Sequence, residues 1–262
     1  MILDFGYVCM NFDTFLSSKL DVGSSLHAKN TTLQIGGAAA LQSITAARCG
    51  ARVSLLGSIG DDIFGEKILE TLRREGIIHS GIIKSSQPTG FVQHIRNNKN
   101  ITTTITSSGA HLDISPEQIC STTFHERHIL LLHSEVSLDF NITLIEMAKN
   151  KNMRVFMSFS DDTVIDDSLI NILDIAFIVK GDDHHTAKPL LKQVIAIDPV
   201  GFDCYCGSYA ACIQAGMTHE RAQDYAISAQ NLYQHNANSG YAAIPYLNDI
   251  EKNLEKKQSK QA

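Results

Sequence analysis

An aspartate near the start of a predicted helix is the residue of this sequence best placed to do chemistry. Asp203 follows an apolar run at residues 194–197, which predicts a strand, and precedes residues 205–214, which predict a helix. The first N–H groups of a helix lack intrahelical partners and bind phosphate well. A carboxylate at that place can act as general base for a hydroxyl that attacks the phosphate. The competing interpretation makes Asp203 an ordinary N-cap.

A glycine-containing segment at residues 57–65 is the second candidate, with the sequence G-S-I-G-D-D-I-F-G. It lies between a predicted strand at residues 51–56 and a predicted helix at residues 66–75. Its spacing differs from the dinucleotide fingerprint G-x-G-x-x-G, so a nicotinamide-dependent oxidoreductase is disfavoured. The segment is either a loop that approaches a ligand or a structural turn in which Asp61 or Asp62 caps the helix.

A pair of glycines, Gly36 and Gly37, is the third candidate. The pair opens an Ala-rich stretch that runs to Arg48 and predicts a closely packed helix, with Gly50 placed to end it. Glycine lets the backbone turn tightly, so a small polar substrate could approach the chain here.

The elements that must position these residues follow two patterns. From the middle of the chain onward, strands and helices alternate, which predicts a parallel α/β sheet. Two Thr-rich parts, residues 11–35 and 89–107, do not alternate with helices and predict a small antiparallel sheet attached to the main domain. The predicted strands of the main sheet are residues 1–5, 51–56, 128–132, 154–159, 175–179 and 194–197. The predicted helices are residues 38–48, 66–75, 142–150, 169–173, 205–214 and 219–236.

The composition excludes several classes of protein. The chain has 262 residues, 44% of them hydrophobic and 19% charged, which is ordinary globular composition, and we expect a single domain over residues 1–262. The net charge of -6 disfavours a nucleic-acid binder. No apolar run is long enough to span a membrane, and residues 1–10 do not resemble a signal peptide. We therefore expect a cytoplasmic protein.

Cysteine and histidine give no sign of a metal site. The six cysteines form no C-x-x-C pair, so we expect reduced thiols rather than a zinc site or a disulfide framework. His184 and His185 are adjacent and have no matching ligand motif nearby. Cys204 and Cys206 lie at a helix start that can lower a thiol pKa, although burial as small hydrophobic side chains is the favoured interpretation.

Taken in order, these segments resemble the ribokinase-like (PfkB) carbohydrate kinase family. Residues 57–65 match the family pattern G-x-x-G-x-D-x-x-G and are the most specific match. The other matching segments, spread over nearly the whole chain, are residues 36–51, 100–101, 109–111, 134–135, 203–207 and 240–245. The resemblance implies a doubly wound, mostly parallel sheet flanked by helices, with a small β-sheet lid over the sugar.

The resemblance also implies roles for individual residues. Asp203 would be the catalytic base, and the amides of Gly201, Phe202 and Asp203 would form the anion hole. The substrate-binding residues would be Gly36, Gly37, Glu135 and Asn11, with Asp13 as the alternative N-terminal acid. The implied cofactors are ATP and Mg²⁺, and the implied partners are a sugar or nucleoside and a second copy of the chain bound through the lid.

The sequence departs from the family pattern around the nucleotide. The family's G-A-G-D is V-G-F-D here, so Phe202 replaces a glycine, which predicts strain or a reshaped turn if that position needs a positive φ. Leu41 stands where the family has a sugar-contacting Asn. The N-x-x-E segment is absent at residues 181–184, and only residues 185–202 separate that place from Asp203, where the family has a longer Gly-rich segment.

Two functions therefore stay open. The leading one is ATP-dependent phosphoryl transfer to a hydroxyl of a sugar or nucleoside. The alternative is a catalytically impaired family member that acts as a non-enzymatic binding protein or dimer, which the departures support.

Overall fold

The computed structural model describes residues 1–18, 20–97, 100–114, 124–159, 167–179, 194–236 and 240–259. The strands are β1 (Ile2–Phe5), β2 (Cys9–Leu16), β3 (Ala28–Gly36), β4 (Val53–Gly60), β5 (Ile78–Ser85), β6 (Phe91–Asn97), β7 (Asn100–Ser107), β8 (Ile129–His133), β9 (Arg154–Phe159), β10 (Ile175–Val179) and β11 (Val194–Ile197). The helices are α1 (Ala38–Arg48), α2 (Ile63–Arg74), α3 (Leu138–Lys149), α4 (Asp167–Ile172), α5 (Phe202–Gln214), α6 (His219–Gln234) and α7 (Leu247–Gln258). Two short 3₁₀ turns cover Gly109–Asp113 and Gly240–Ala243.

The main sheet confirms the predicted doubly wound architecture. Seven strands lie in the order β11-β10-β9-β8-β1-β4-β5, and each neighbouring pair is parallel. The chain builds outward from β1 through β4 to β5, then returns to the other side of β1 and builds through β8 to β11. The strand order therefore reverses between β1 and β8, and in such sheets ligands bind beside the carboxyl ends of the strands at this switch point.

Alternation along the strands divides the core into two halves. Ile2, Leu131 and Phe156 pack in a cluster with residues of α1 and α5, whereas Leu3 and Leu130 pack in a cluster with residues of α3. Because successive side chains of a strand point to opposite faces, the near-continuous apolar runs of β1, β8 and β9 supply both halves.

The second sheet is the lid, in the order β3-β2-β6-β7. The sequence predicted an antiparallel lid, and this is wrong in one respect: β2 pairs parallel with β6, while β2–β3 and β6–β7 are antiparallel. The reason lies in the connections. β2 follows β1 and β6 follows β5, so both lid strands leave the carboxyl edge of the main sheet and run in the same direction.

The edge strand β5 was missed from the sequence. Its residues, I-H-S-G-I-I-K-S, mix polar and apolar types without a clear period, and they are mostly half-buried at the edge of the main sheet. Among the described residues, no helix combines the length and the apolar character needed to cross a membrane.

The segment at residues 57–65 is a structural joint between sheet and lid. Asp62 caps α2, and its Oδ1 accepts hydrogen bonds from the amides of Phe64 (3.1 Å) and Gly65 (2.8 Å). The same carboxylate accepts bonds from the Thr89 amide (2.8 Å) and hydroxyl (2.7 Å) just before β6. A side chain at Gly65 would overlap the Gly60 carbonyl. The structural interpretation, with Asp62 rather than Asp61 as the cap, is therefore confirmed.

We predict that Asp62→Ala lowers the free energy of unfolding by about 1 to 2 kcal/mol, the usual effect of losing an N-cap. The bonds to the carboxylate lower the pKa of Asp62, so its stabilising effect is present above the unfolded-state pKa and is lost as pH falls through the folded-state pKa. Urea unfolding at several pH values measures this. Asp61→Ala is the matched control, because Asp61 is exposed and pairs with exposed Lys84. Equal losses in both variants at neutral pH would contradict the assignment.

Candidate functional site

A cavity of about 490 Å³ lies between the carboxyl edge of the main sheet and the lid, at the switch point of the strand order. Residues of the main domain and of β2 and β6 share its wall. Six residues predicted from the sequence line it: Asn11, Asp13, Gly37, Glu135, Phe202 and Asp203. Gly201 lines a second cavity of about 330 Å³ that shares Phe202 and Asp203 with the first. Gly36 is absent from both walls and instead lies against Asn11.

Asp203 is held near the start of α5, but not as the N-cap. The N-cap is Gly201, with a left-handed backbone at φ 79°, and Asp203 is the second helical residue. The N-cap interpretation of Asp203 is therefore wrong. The predicted strain at Phe202 is absent, because the positive φ falls on Gly201 and Phe202 is already helical.

The surroundings of Asp203 favour its neutral form. Burial, with a smaller contribution from the nearby Glu135 carboxylate, raises the pKa of Asp203 to about 6. A hydrogen bond from Gln42 Nε2 to Asp203 Oδ1 (2.9 Å) opposes this shift. Burial also raises the pKa of Glu135. Asp203 thus titrates near neutral pH at the wall of the cavity, where a general base is effective.

A polar network lies behind Asp203 and was missed from the sequence. Gln42 also donates to Ser158 Oγ (3.2 Å), and Ser158 Oγ lies 2.9 Å from His133 Nδ1. His133 Nε2 lies 2.7 Å from Asp4 Oδ1. The sequence does carry a signal for this network. Each of the apolar strands β1, β8 and β9 has one such polar residue, inside the strand or at its end, and its side chain points to the same face as the neighbours that pack on α1 and α5.

The lid side of the cavity carries the predicted sugar-binding acid in an ion pair. Asp13, 2% exposed, accepts a hydrogen bond from Arg96 Nε (3.0 Å) at one oxygen and from Gln34 Nε2 (3.3 Å) at the other. Arg96 extends from β6 and lines both cavities. Its importance was not visible in the sequence, because β2 and β6 come together only through the parallel pairing of the lid.

The glycine pair shapes the same wall. Gly37 caps α1 with φ 90°, and a side chain there would overlap the Tyr7 carbonyl. A side chain at Gly36 would overlap the amide of Asn11. Both glycines are therefore required by close packing around the cavity, and they bring Asn11 to its edge.

The cysteine, histidine and leucine residues singled out in the sequence have different outcomes. Cys204 and Cys206 are buried, and burial raises the pKa of both thiols, which confirms their interpretation as small hydrophobic side chains. His184 and His185 lie outside the described residues. In the described ranges, no cluster of three or more His, Cys, Asp or Glu residues could hold a metal ion. Leu41 lines both cavities, so an apolar side chain stands where the family pattern has an amide.

The N-terminus of α5 fits a phosphate group. The first helical residues follow the left-handed turn at Gly201 and lie at the wall shared by the two cavities, together with Arg96. The predicted contribution of Phe202 to an anion hole is wrong, because its amide donates to the Pro199 carbonyl (3.3 Å). Backbone N–H groups at a helix start and a guanidinium are both suited to phosphate oxygens. Mg²⁺ usually binds through phosphates and only one or two carboxylates, so at this site it would be held mainly by the phosphates of ATP.

Comparisons with known proteins identify the family and the fold. Residues 1–189 match the model of the pfkB family carbohydrate kinases. A ribokinase of Haemophilus influenzae is 26% identical over 156 residues, covering 58% of this chain and 51% of the relative. The chain thus spans about half the length of the curated relatives it matches, and the family match ends before Asp203.

Solved structures match over nearly the whole chain. An Arabidopsis thaliana ribokinase complexed with ribose and ATP has a TM-score of 0.81 at 17% identity, covering 97% of this chain and 98% of that one. A Methanocaldococcus jannaschii nucleoside kinase has a TM-score of 0.80 at 16% identity, with coverage of 97% and 98%. At these identities the likeness establishes the fold.

We predict that Arg96→Met lowers the free energy of unfolding by roughly 2 to 4 kcal/mol, because it leaves the buried Asp13 carboxylate without its ion partner. The double variant Asp13→Asn/Arg96→Met should recover most of the loss, since the amide carries no charge. Urea unfolding of the three proteins measures both effects. A double variant no more stable than Arg96→Met would show that the charge is not the cause.

Proposed function

Because this chain belongs to the pfkB family of carbohydrate kinases, we propose that it transfers the γ-phosphoryl group of ATP to a hydroxyl of a sugar or nucleoside. The observation that carries the proposal is the placement of Asp203 at the start of α5, at the wall of a cavity large enough for a sugar. The donor and the acceptor class also rest on the family membership.

In this proposal, each part of the site has one task. Gly37 approaches the sugar from the main domain, and Asn11 and Asp13 of β2 contact it from the lid while Arg96 neutralises Asp13. Glu135 lies on the opposite wall, at the end of β8. These contacts fix the acceptor hydroxyl beside Asp203, so that binding energy supplies the orientation that the reaction needs.

Asp203 then accepts the proton of the acceptor hydroxyl as the oxygen attacks the γ-phosphorus of ATP, and the bond to ADP breaks as ADP leaves. The partial positive charge at the N-terminal end of α5 stabilises the negative charge that develops on the phosphoryl oxygens. Mg²⁺, when bound with ATP, would neutralise charge on the phosphates. The lid covers the cavity and limits the access of water to the phosphoryl group.

A second candidate is a non-enzymatic binding protein with the same fold. Leu41 at the cavity wall and the family match that ends at residue 189 favour it. Under this alternative the acceptor cavity still binds a sugar, but Mg-ATP neither binds nor is consumed. Calorimetric titration of Mg-ATP separates the two functions: heat of binding together with ribose-dependent ADP release supports the kinase, and neither signal supports the binding protein.

The proposal extends to assembly and location. The outer strand β3 is exposed from Ala28 to Leu33 and offers a free edge for a second copy of the chain, as the resemblance implies. The described cysteines are unpaired, in keeping with a cytoplasmic protein. Sedimentation equilibrium tests the dimer: a mass of 28.8 kDa, that of one chain, would contradict it.

We predict that Asp203→Asn lowers ribose-dependent ADP release by about 100-fold or more, the usual effect of removing a general base. Asp198→Asn is the matched control, because it makes the same chemical change at an exposed aspartate five residues earlier. It should keep activity within about twofold, as is usual for surface substitutions. Full activity in Asp203→Asn would contradict the assignment of the base.

We also predict that kcat/KM falls as pH drops through about 6, the pKa to which burial raises Asp203. A base must be unprotonated to act, so the raised pKa places the loss of activity on the acid side of neutrality. A pH profile measured with ribose and Mg-ATP tests this. A profile that stays flat down to pH 4.5 would show that the group that limits the rate is not Asp203.

A further inference from the structure

A buried chain of hydrogen bonds connects the base to a pair of ionisable side chains that the proposed reaction does not use. Asp4 and His133 are 0% and 1% exposed, and their side chains meet at 2.7 Å. His133 lines the cavity and Asp4 does not, and both lie on the face of the main sheet that α1 and α5 cover. The pair is linked to Asp203 by two side chains only, Ser158 and Gln42.

The register of the sheet brings the members of this hydrogen-bond chain together. His133 and Ser158 are direct neighbours across β8 and β9, and Asp4 lies beside β8 on β1, opposite Leu131. Because Asp4, His133 and Ser158 share the parity of Ile2, Leu131 and Phe156, they lie on the face toward α1 and α5. Gln42 of α1 completes the link to α5.

The donors and acceptors give this hydrogen-bond chain a fixed direction of donation. Gln42 Nε2 donates to both Asp203 Oδ1 and Ser158 Oγ, which uses both hydrogens of its amide. In the described part of the chain, the Gln42 carbonyl oxygen is buried without a hydrogen-bond partner. A flipped amide would present that oxygen to the Asp203 carboxylate. The orientation is therefore held by both acceptors, the Asp203 carboxylate and the Ser158 hydroxyl oxygen.

Ser158 is in turn held by His133. With a proton on Nε2 that is donated to Asp4, the Nδ1 atom accepts the Ser158 hydroxyl; with both ring nitrogens protonated, Nδ1–H donates to Ser158 Oγ. In either state Ser158 Oγ keeps a lone pair for Gln42. Asp4, which also accepts from the Ser43 hydroxyl (2.8 Å), fixes the imidazole ring.

We propose that the Asp4–His133 pair is a positioning device for Asp203, acting through Ser158 and Gln42. It holds the Gln42 amide with its nitrogen toward Asp203, so that Oδ1 is hydrogen-bonded and the second carboxylate oxygen stays available to the acceptor hydroxyl. This inference rests on the proposed function for its role in catalysis, although the arrangement can be tested without turnover.

The device has an electrostatic consequence for Asp203. The charged groups that act on its carboxyl are Glu135 and Asp4, which raise its pKa, and His133, which lowers it. The hydrogen bond from Gln42 lowers the pKa as well. Breaking the chain at Ser158 releases the Gln42 amide and removes part of the stabilisation of the charged form, so the pKa of Asp203 should rise.

The experiment compares Ser158→Ala with Ser208→Ala. Ser208 is equally a buried serine, but it bonds only to carbonyl oxygens within α5. The carboxyl titration of Asp203 is followed by ¹³C NMR of aspartate-labelled protein, with the resonance assigned by its loss in Asp203→Asn. We expect Ser158→Ala to raise the pKa of Asp203 by about half a unit or more, because a bond to its charged form is weakened. Ser208→Ala should leave it unchanged.

The kinetic arm uses ribose and Mg-ATP as probes. Ser158→Ala should lower kcat/KM on the order of tenfold, the effect of one hydrogen bond to a charged group. It should also shift the fall of kcat/KM at low pH, the acid limb of the pH profile, to higher pH. His133→Gln should do the same and add little to Ser158→Ala in the double variant, because both break one chain. Thermal unfolding of each variant separates these effects from a general loss of stability.

The outcomes separate the two proposals. A shifted Asp203 titration in Ser158→Ala without any ADP release from the unaltered protein would support the positioning device and contradict the kinase function. The kinase function would stand and the positioning device would be overturned by one result. In that result the protein is active, but Ser158→Ala and Ser208→Ala have the same pKa for Asp203 and the same acid limb of the pH profile.

Discussion

The alternation of side chains along parallel strands is the constraint on which this site depends. β1, β8 and β9 are adjacent, and each is an almost unbroken apolar run that faces helices on both sides. The few polar residues in these runs share one parity, so they emerge on one face and near the same edge. A one-residue shift of β8 against β1 would send His133 to the face that α3 covers, and the cluster of polar side chains would not exist.

The start of α5 forms its left-handed turn with a single glycine. The family turn has two glycines before the aspartate, and this chain has one. Gly201 takes the left-handed backbone and the helix starts at the next residue, so Phe202 and Asp203 line the cavity, although the Phe202 amide donates to the Pro199 carbonyl. A bulky residue at 202 is tolerated because its backbone is helical.

Long apolar segments and glycine turns made most of the fold predictable, whereas pairings across the chain did not. β9, β10 and β11 have the bounds that the sequence predicted, because they are short buried runs with sharp ends. β5 escaped detection because an edge strand of mixed polarity has no period to detect. The parallel pairing of β2 with β6, and with it the Arg96–Asp13 ion pair, depends on where the chain leaves the main sheet, which no local pattern encodes.

The buried network also depends on pairings between distant parts of the chain, so local sequence patterns do not predict it. The free energy of burying its ionisable groups bears on the reason for their presence. Removing Asp4 and His133 from water costs free energy that their attraction only partly offsets, and well-packed apolar residues can replace such pairs without loss of stability. Ile2 and Leu131, at the same face, show that apolar side chains fit this part of the core. Stability therefore gives no reason for an ionisable pair here. A fixed direction of hydrogen bonding toward Asp203 does, because a carboxylate presents its free oxygen to a substrate more precisely when its other oxygen is held.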